Sequence, residues 1–156
     1  MLDLVDEFRA VVAALEAAEI DFAVCGGLAV AIHAQPRATM DIDLLLLRDG
    51  VEATKNVVRE LGYTIEAGPM VVRPDVVEMH RMSKPDEESG DLLSIDLLLV
   101  TPELERVWAS RERIGWEHGE LPVVSRRGLI QMKRLRGSGQ DLDDIRALEE
   151  DGDGEA

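Results

Sequence analysis

The sequence predicts an α/β fold of the α+β kind, with a mixed β-sheet flanked by helices and further helices at the C-terminal end. Three observations predict it. Two apolar runs of strand length, "MDIDLLLL" and "DLLSIDLLLV", are long enough to cross a sheet and too short to be buried helices. Stretches with apolar residues at helical spacing surround them. Between them, residues 63–82 are rich in β-branched residues and marked by two prolines, as expected of short antiparallel strands.

Taken in order, Leu2, Val5, Phe8, Val12 and Leu15 recur at helical spacing and predict an opening amphipathic helix. "IDFAVCGG" reads as a short strand ending in glycines, and the alanine-rich stretch from Leu28 to Ala34 as a helix closed by Pro36. "MDIDLLLL" is the second strand. "VEATKNVVRELG" fits a helix with Gly62 at its C-terminal cap. "KPDEESG" is a polar loop leading into "DLLSIDLLLV", a buried strand. Thr101 and Pro102 are placed as N-cap and first-turn proline of a helix reaching about Ser110. "ELPVVS" is a short strand, and "RRGLIQMKRLRG" and "DLDDIRALEE" are two helices. Residues 1–150 form one predicted domain, and 151–156 an acidic, frayed tail.

The chain has 156 residues, 46% of them hydrophobic, enough to fill one core. No apolar run spans a bilayer, and the acidic N-terminus lacks the basic region of a signal peptide. A single cysteine, Cys25, excludes an internal disulfide and fits the cytoplasm. With 17 basic and 32 acidic residues the net charge is −15, which argues against broad binding of DNA or RNA. Residues 126–136 run against this trend, with Arg126, Arg127, Lys133, Arg134 and Arg136 and no acidic residue. They are either the docking patch for a small anion or a solvated helix face.

The chemistry begins at Asp41 and Asp43. Side chains alternate along a strand, so both emerge from one face while Ile42 and Leu44 take the other. Two like charges about 4 Å apart repel by roughly 4 kcal/mol at an effective dielectric near 20. Basic partners, a proton or a divalent cation must offset that cost. A hard cation held by carboxylate oxygens does so economically, and magnesium is usual where phosphates complete the shell. Asp96 repeats the environment of Asp43, set between Ile95 and Leu97 in the later apolar strand. If the two strands are neighbours, three carboxylates converge. Gly26 and Gly27 lie between strand and helix, where backbone N–H groups can approach a phosphate.

In this order the residues resemble the signature of the nucleotidyltransferase superfamily, which includes DNA polymerase β, kanamycin nucleotidyltransferase and the CCA-adding enzymes. Its marks are a Gly-Gly or Gly-Ser pair opening a helix, an Asp-x-Asp strand and a third carboxylate on a later strand. "RATMDID" and the C-terminal "KRLRGSGQDLDD" look like small bacterial members of the abortive-infection toxin type, with Ser138 standing where an arginine is expected. The resemblance implies a nucleotidyltransferase-like sheet and transfer of a nucleoside monophosphate from a nucleoside triphosphate to an acceptor hydroxyl, with pyrophosphate leaving. It implies Mg2+ or Mn2+ at Asp41, Asp43 and Asp96, with Asp96 also helping to deprotonate the acceptor. Phosphates would meet Gly26, Gly27, Arg37 and Lys133; Thr39 would support the loop, and Asp141 and Asp144 would support Lys133. The acceptor is a protein, a tRNA or a small molecule, and toxin-type members add an antitoxin partner. The alternative is a catalytically degenerate protein of the same fold that binds nucleotide or a partner. A hydrolase built on the same carboxylates leaves the Gly-Gly turn without a purpose.

Plainer readings exist for each residue. Asp41 and Asp43 could be solvated at a strand edge, Asp96 could form a buried ion pair, with Arg37 as one partner, and Lys133 could lie on a solvated helix face. His33, His80 and His118 lack zinc spacing and read as packing or surface residues. Cys25 reads as a small buried side chain, and Trp108 and Trp116 as packing residues.

Overall fold

The computed structural model describes residues 2–33, 41–73, 77–117, 119–136 and 145–149. Arg37, Thr39, His118, Ser138, Asp141, Asp144 and the acidic tail 151–156 lie outside the described residues.

Helix α1 (Leu4–Ala17) is capped by Asp3, whose side chain accepts from the Asp6 amide at 3.0 Å. It buries Phe8, Val11, Val12 and Leu15, while Val5, expected on the apolar stripe, is exposed. Strand β1 (Ala23–Cys25) runs directly into α2 (Gly26–His33), so the helix opens on the two glycines rather than at Leu28. Strand β2 (Asp41–Leu46) is followed by a 3-10 turn (Arg48–Gly50) and α3 (Val51–Glu60). Past that helix, Gly62 takes a φ of +103° and donates its N–H to the Arg59 carbonyl at 3.0 Å, the C-terminal role expected of it.

The middle region forms β3 (Ile65–Arg73) and β4 (Val77–Pro85), an antiparallel pair of nine-residue strands. They are longer than their two prolines suggested, because Pro69 is absorbed at an irregularity within β3. Strand β5 (Leu92–Leu99) leads to a 3-10 turn (Pro102–Leu104) and a short α4 (Glu105–Ala109). Strands β6 (Glu112–Trp116) and β7 (Gly119–Val123) pair antiparallel, and α5 (Arg126–Arg136) follows. A further helical turn covers 145–149.

The seven strands make one sheet in the order β3-β4-β5-β2-β1-β7-β6. The pairings β2–β5 and β1–β7 are parallel and the others antiparallel, which makes the sheet mixed, as expected. One face carries Ile42, Leu44 and Leu46 beside Ile95, Leu97 and Leu99, all essentially buried. Helices α1 and α3 lie over it. Lys84 on β4 meets Glu7 of α1 at 2.8 Å, and Glu66 on β3 meets Lys55 and Arg59 of α3 at 2.7 and 2.8 Å. Trp116 packs edge-on to Phe8, with ring centroids 5.7 Å apart. The opposite face, beside α2 and α5, carries the carboxylates.

Candidate active site

Strand register alone assembles the site. In β2 and β5, running parallel, Asp43 pairs with Asp96 and Asp41 with Ser94. On the far side of β5, Arg81 of β4 pairs with Asp96; on the far side of β2, Cys25 of β1 pairs with Asp43. Paired residues on neighbouring strands project from the same face, so Arg81, Asp96 and Asp43 form one transverse row. Asp41 stands beside that row, two residues along the same strand face.

Two further elements close on the row. Helix α2 starts against Asp43. Gly26 has a φ of +64°, and a Cβ there would overlap the Asp43 carboxylate and stand 2.7 Å from its Cβ. No other residue type fits that position without displacing Asp43. From α5 comes Lys133, only 5% exposed, whose positive charge acts on the Asp43 carboxylate. The basic stretch 126–136 is therefore partly a site wall. Arg126 donates to the His33 carbonyl, and His33 Nε2 donates to the Val124 carbonyl at 2.9 Å, tying the end of α2 to the start of α5. His33 is thus a packing residue and does not serve as a base to Cys25, which is buried.

Electrostatically the row is overloaded with negative charge. Burial, the charges of Asp96 and Asp41, and a hydrogen bond to Asp96 push the Asp43 carboxyl up to about 7, against the pull of Lys133. Asp41 is raised as well, by burial first and by Asp96 second, while Arg81 opposes the shift. Asp96 is 5% exposed and held on both oxygens: Arg81 Nε donates to Oδ1 at 2.7 Å and Nη2 to Oδ2 at 3.1 Å. A carboxylate that keeps a proton near neutrality invites a cation in its place.

The donor set fits a hard divalent cation that depends on its substrate. Among the described residues, no three His, Cys, Asp or Glu side chains form a group able to hold a metal by themselves. Magnesium commonly takes one or two carboxylates and completes its shell with water and nucleotide phosphates, which is what Asp41 and Asp43 offer.

Of the residues singled out in the sequence, the structure brings together Gly26, Gly27, Asp41, Asp43, Asp96 and Lys133. Arg37, Thr39, Asp141 and Asp144 are outside the described residues. Arg81 went unrecognised, because the region from Tyr63 to Glu88 carries no motif. Its one signal is an arginine in strand alternation, and the β4–β5 register is needed to give that meaning.

Fold and site together define a nucleotidyltransferase. Within that superfamily, the chain belongs to the aminoglycoside-2''-adenylyltransferase family, whose model matches residues 7–87. The matched span holds both glycines, Asp41, Asp43 and Arg81 and stops short of Asp96 and Lys133. Solved structures share the fold over nearly the whole chain. The lincosamide antibiotic adenylyltransferase LnuA aligns with a TM-score of 0.60 at 17% identity, over 92% of this chain and 95% of that one. The antibiotic-resistance factor ANT(2'')-Ia aligns at 0.65 and 14% identity, over 92% and 81%. A Thermotoga maritima protein assigned as a nucleotidyltransferase aligns at 0.61 and 13% identity, over 91% and 89%. At such identities the likeness is one of fold. No curated protein sequence matches the chain.

Proposed function

We propose that the protein moves a nucleoside monophosphate, adenylate first among them, from a nucleoside triphosphate to a hydroxyl of a small-molecule acceptor. The observation that carries this reading is the row Arg81–Asp96–Asp43 with Asp41 beside it, set between the glycine-opened α2 and the buried Lys133. Asp41 and Asp43 hold Mg2+ or Mn2+ together with the nucleotide phosphates. That ion supplies positive charge at the reacting phosphate. Gly26 and Gly27 let the first N–H groups of α2 face the triphosphate, and Lys133 neutralises it from the other side. Asp96 accepts the proton of the acceptor hydroxyl. The acceptor oxygen then bonds to the α-phosphorus as the bond to the bridging oxygen breaks and pyrophosphate departs. Arg37 on phosphate, Thr39 beside the loop, and Asp141 and Asp144 supporting Lys133 belong to the same proposal.

A small acceptor is favoured over a protein or a tRNA. Among the fold relatives, LnuA was solved with lincomycin bound and ANT(2'')-Ia with adenylyl-2''-tobramycin. A net charge of −15 opposes a polyanionic acceptor and favours a cationic one. The antitoxin partner expected of toxin-type members draws no support from these relatives. No described helix is long and apolar enough to cross a membrane. The cytoplasm, where nucleoside triphosphates are made, is the proposed setting.

A second reading has one observation in its favour. With both Asp96 oxygens held by Arg81, the protein could bind nucleotide without transferring it. The two separate on one assay. Purified protein is incubated with each nucleoside triphosphate, Mg2+ or Mn2+, and a panel of aminoglycosides and lincosamides. Pyrophosphate release together with an acceptor heavier by one nucleoside monophosphate is expected. Nucleotide binding with no turnover on any acceptor would favour the second reading.

A further inference from the structure

We infer that the Arg81 guanidinium occupies the role of a second divalent ion, so that the site takes one ion per chain with its nucleotide. The inference rests on the nucleotidyl-transfer reading above.

Backbone register places Arg81 opposite Asp96, so the pairing is built into the β4–β5 ladder rather than into a chance side-chain orientation. The guanidinium grips both oxygens of Asp96 in a fork, at 2.7 and 3.1 Å, so a metal ion at Asp96 would have to compete with a cation already seated there. Its charge also reaches Asp41 and Asp43. In two-ion phosphoryl transfer the second ion neutralises the remaining carboxylate and stabilises a reacting oxygen. A guanidinium can do both. It is permanently charged, spends two of its five N–H donors on Asp96, and keeps three for an acceptor or phosphate oxygen. The Arg81 side chain is 39% exposed, so those donors are reachable from solvent. Charge counting agrees. Among the described residues, three ionised carboxylates against Lys133 and Arg81 leave one net negative charge, and a single divalent ion reverses it to one positive charge facing the triphosphate.

The test counts Mn2+ bound per chain in the presence of a non-hydrolysable ATP analogue, by electron paramagnetic resonance. One ion is expected in the native protein and in Arg81→Lys, which keeps the charge. Two are expected in Arg81→Ala, whose Asp96 is released to coordinate. Two ions in the native protein would overturn the inference and leave nucleotidyl transfer standing. One ion in both the native protein and Arg81→Ala would overturn it too, since the guanidinium would not be what keeps the second ion out. No bound ion at all would sink the nucleotidyl-transfer reading and this inference with it. A native count of two rules the inference out even if Arg81→Ala does not fold.

Discussion

Gly26 carries two constraints at once: a left-handed backbone and direct contact with the Asp43 carboxylate. The left-handed conformation alone costs an L side chain roughly 1–2 kcal/mol, and overlap with Asp43 adds to it. Gly26→Ala is therefore expected to lower stability by at least about 1–2 kcal/mol in denaturant titrations and to abolish transfer, because Asp43 must move. Asp43 shows the opposite balance. A buried carboxyl pushed up to about 7 by its neighbours strains the metal-free protein. Asp43→Asn should stabilise the metal-free protein at neutral pH by about 0.5–2 kcal/mol, as other relieved functional sites do, while removing activity. Thermal melts of the two forms check the sign. A destabilised Asp43→Asn would mean that the carboxylate is already compensated. These residues were legible in the sequence because Gly-Gly and Asp-x-Asp are local patterns. Arg81 was not. Its importance comes from lying opposite Asp96, fifteen residues away in sequence, on the neighbouring strand, and no pattern of spacing announces a register. The ion pair considered for Asp96 is real, but Arg81 forms it, while the suggested Arg37 lies outside the described residues. That pairing is why Asp96, expected both to hold metal and to help deprotonate the acceptor, is proposed here in the second role alone.

At the level of elements, strands are held to helices by ionic contacts whose pH dependence can be worked out. Lys55 of α3, 4% exposed, meets Glu66 of β3, which Arg59 also binds. These bonds, Lys55 first and Arg59 second, hold the Glu66 carboxyl below its ordinary value of 4.5. A lowered carboxylate pKa contributes stability above the unfolded value and loses it as pH falls through the folded one. Glu66→Gln should therefore flatten the acid-side decline of melting temperature below about 4.5. Glu66 is 38% exposed, so salt should shrink the difference further. An unchanged acid slope would show that the contact contributes nothing. In the apolar layer, Leu97→Ala on β5 should cost about 2–5 kcal/mol, since Leu97 is fully buried between β2 and β4. Elements with strong periodicity or unbroken apolar runs, such as α1, β2, α3 and β5, were readable from the sequence. Strand β6 was not, because "ERIGW" has two charges and a glycine in five residues, and its strand pairing comes from β7 alone among the described residues.

The whole molecule is acidic, with two cations, Lys133 and Arg81, set among the carboxylates of the site. With a net charge of −15, the field outside attracts cations, while Lys133 and Arg81 are the groups proposed to meet the anionic nucleotide at close range. Steering of this kind is screened beyond about 10 Å at 0.1 M salt. The KM for a polycationic acceptor should accordingly rise several-fold as ionic strength increases, while that for an uncharged acceptor stays level. Equal salt dependence would remove the field from the selection of acceptors. Nucleotide binding itself is the most direct test of the site. In calorimetric titration of ATP into the protein, binding should require Mg2+ and weaken at least about 100-fold, or roughly 2.7 kcal/mol, in Asp43→Asn. ATP affinity that is the same with Mg2+ and with chelator, or untouched by Asp43→Asn, would contradict a metal–nucleotide site at Asp41 and Asp43.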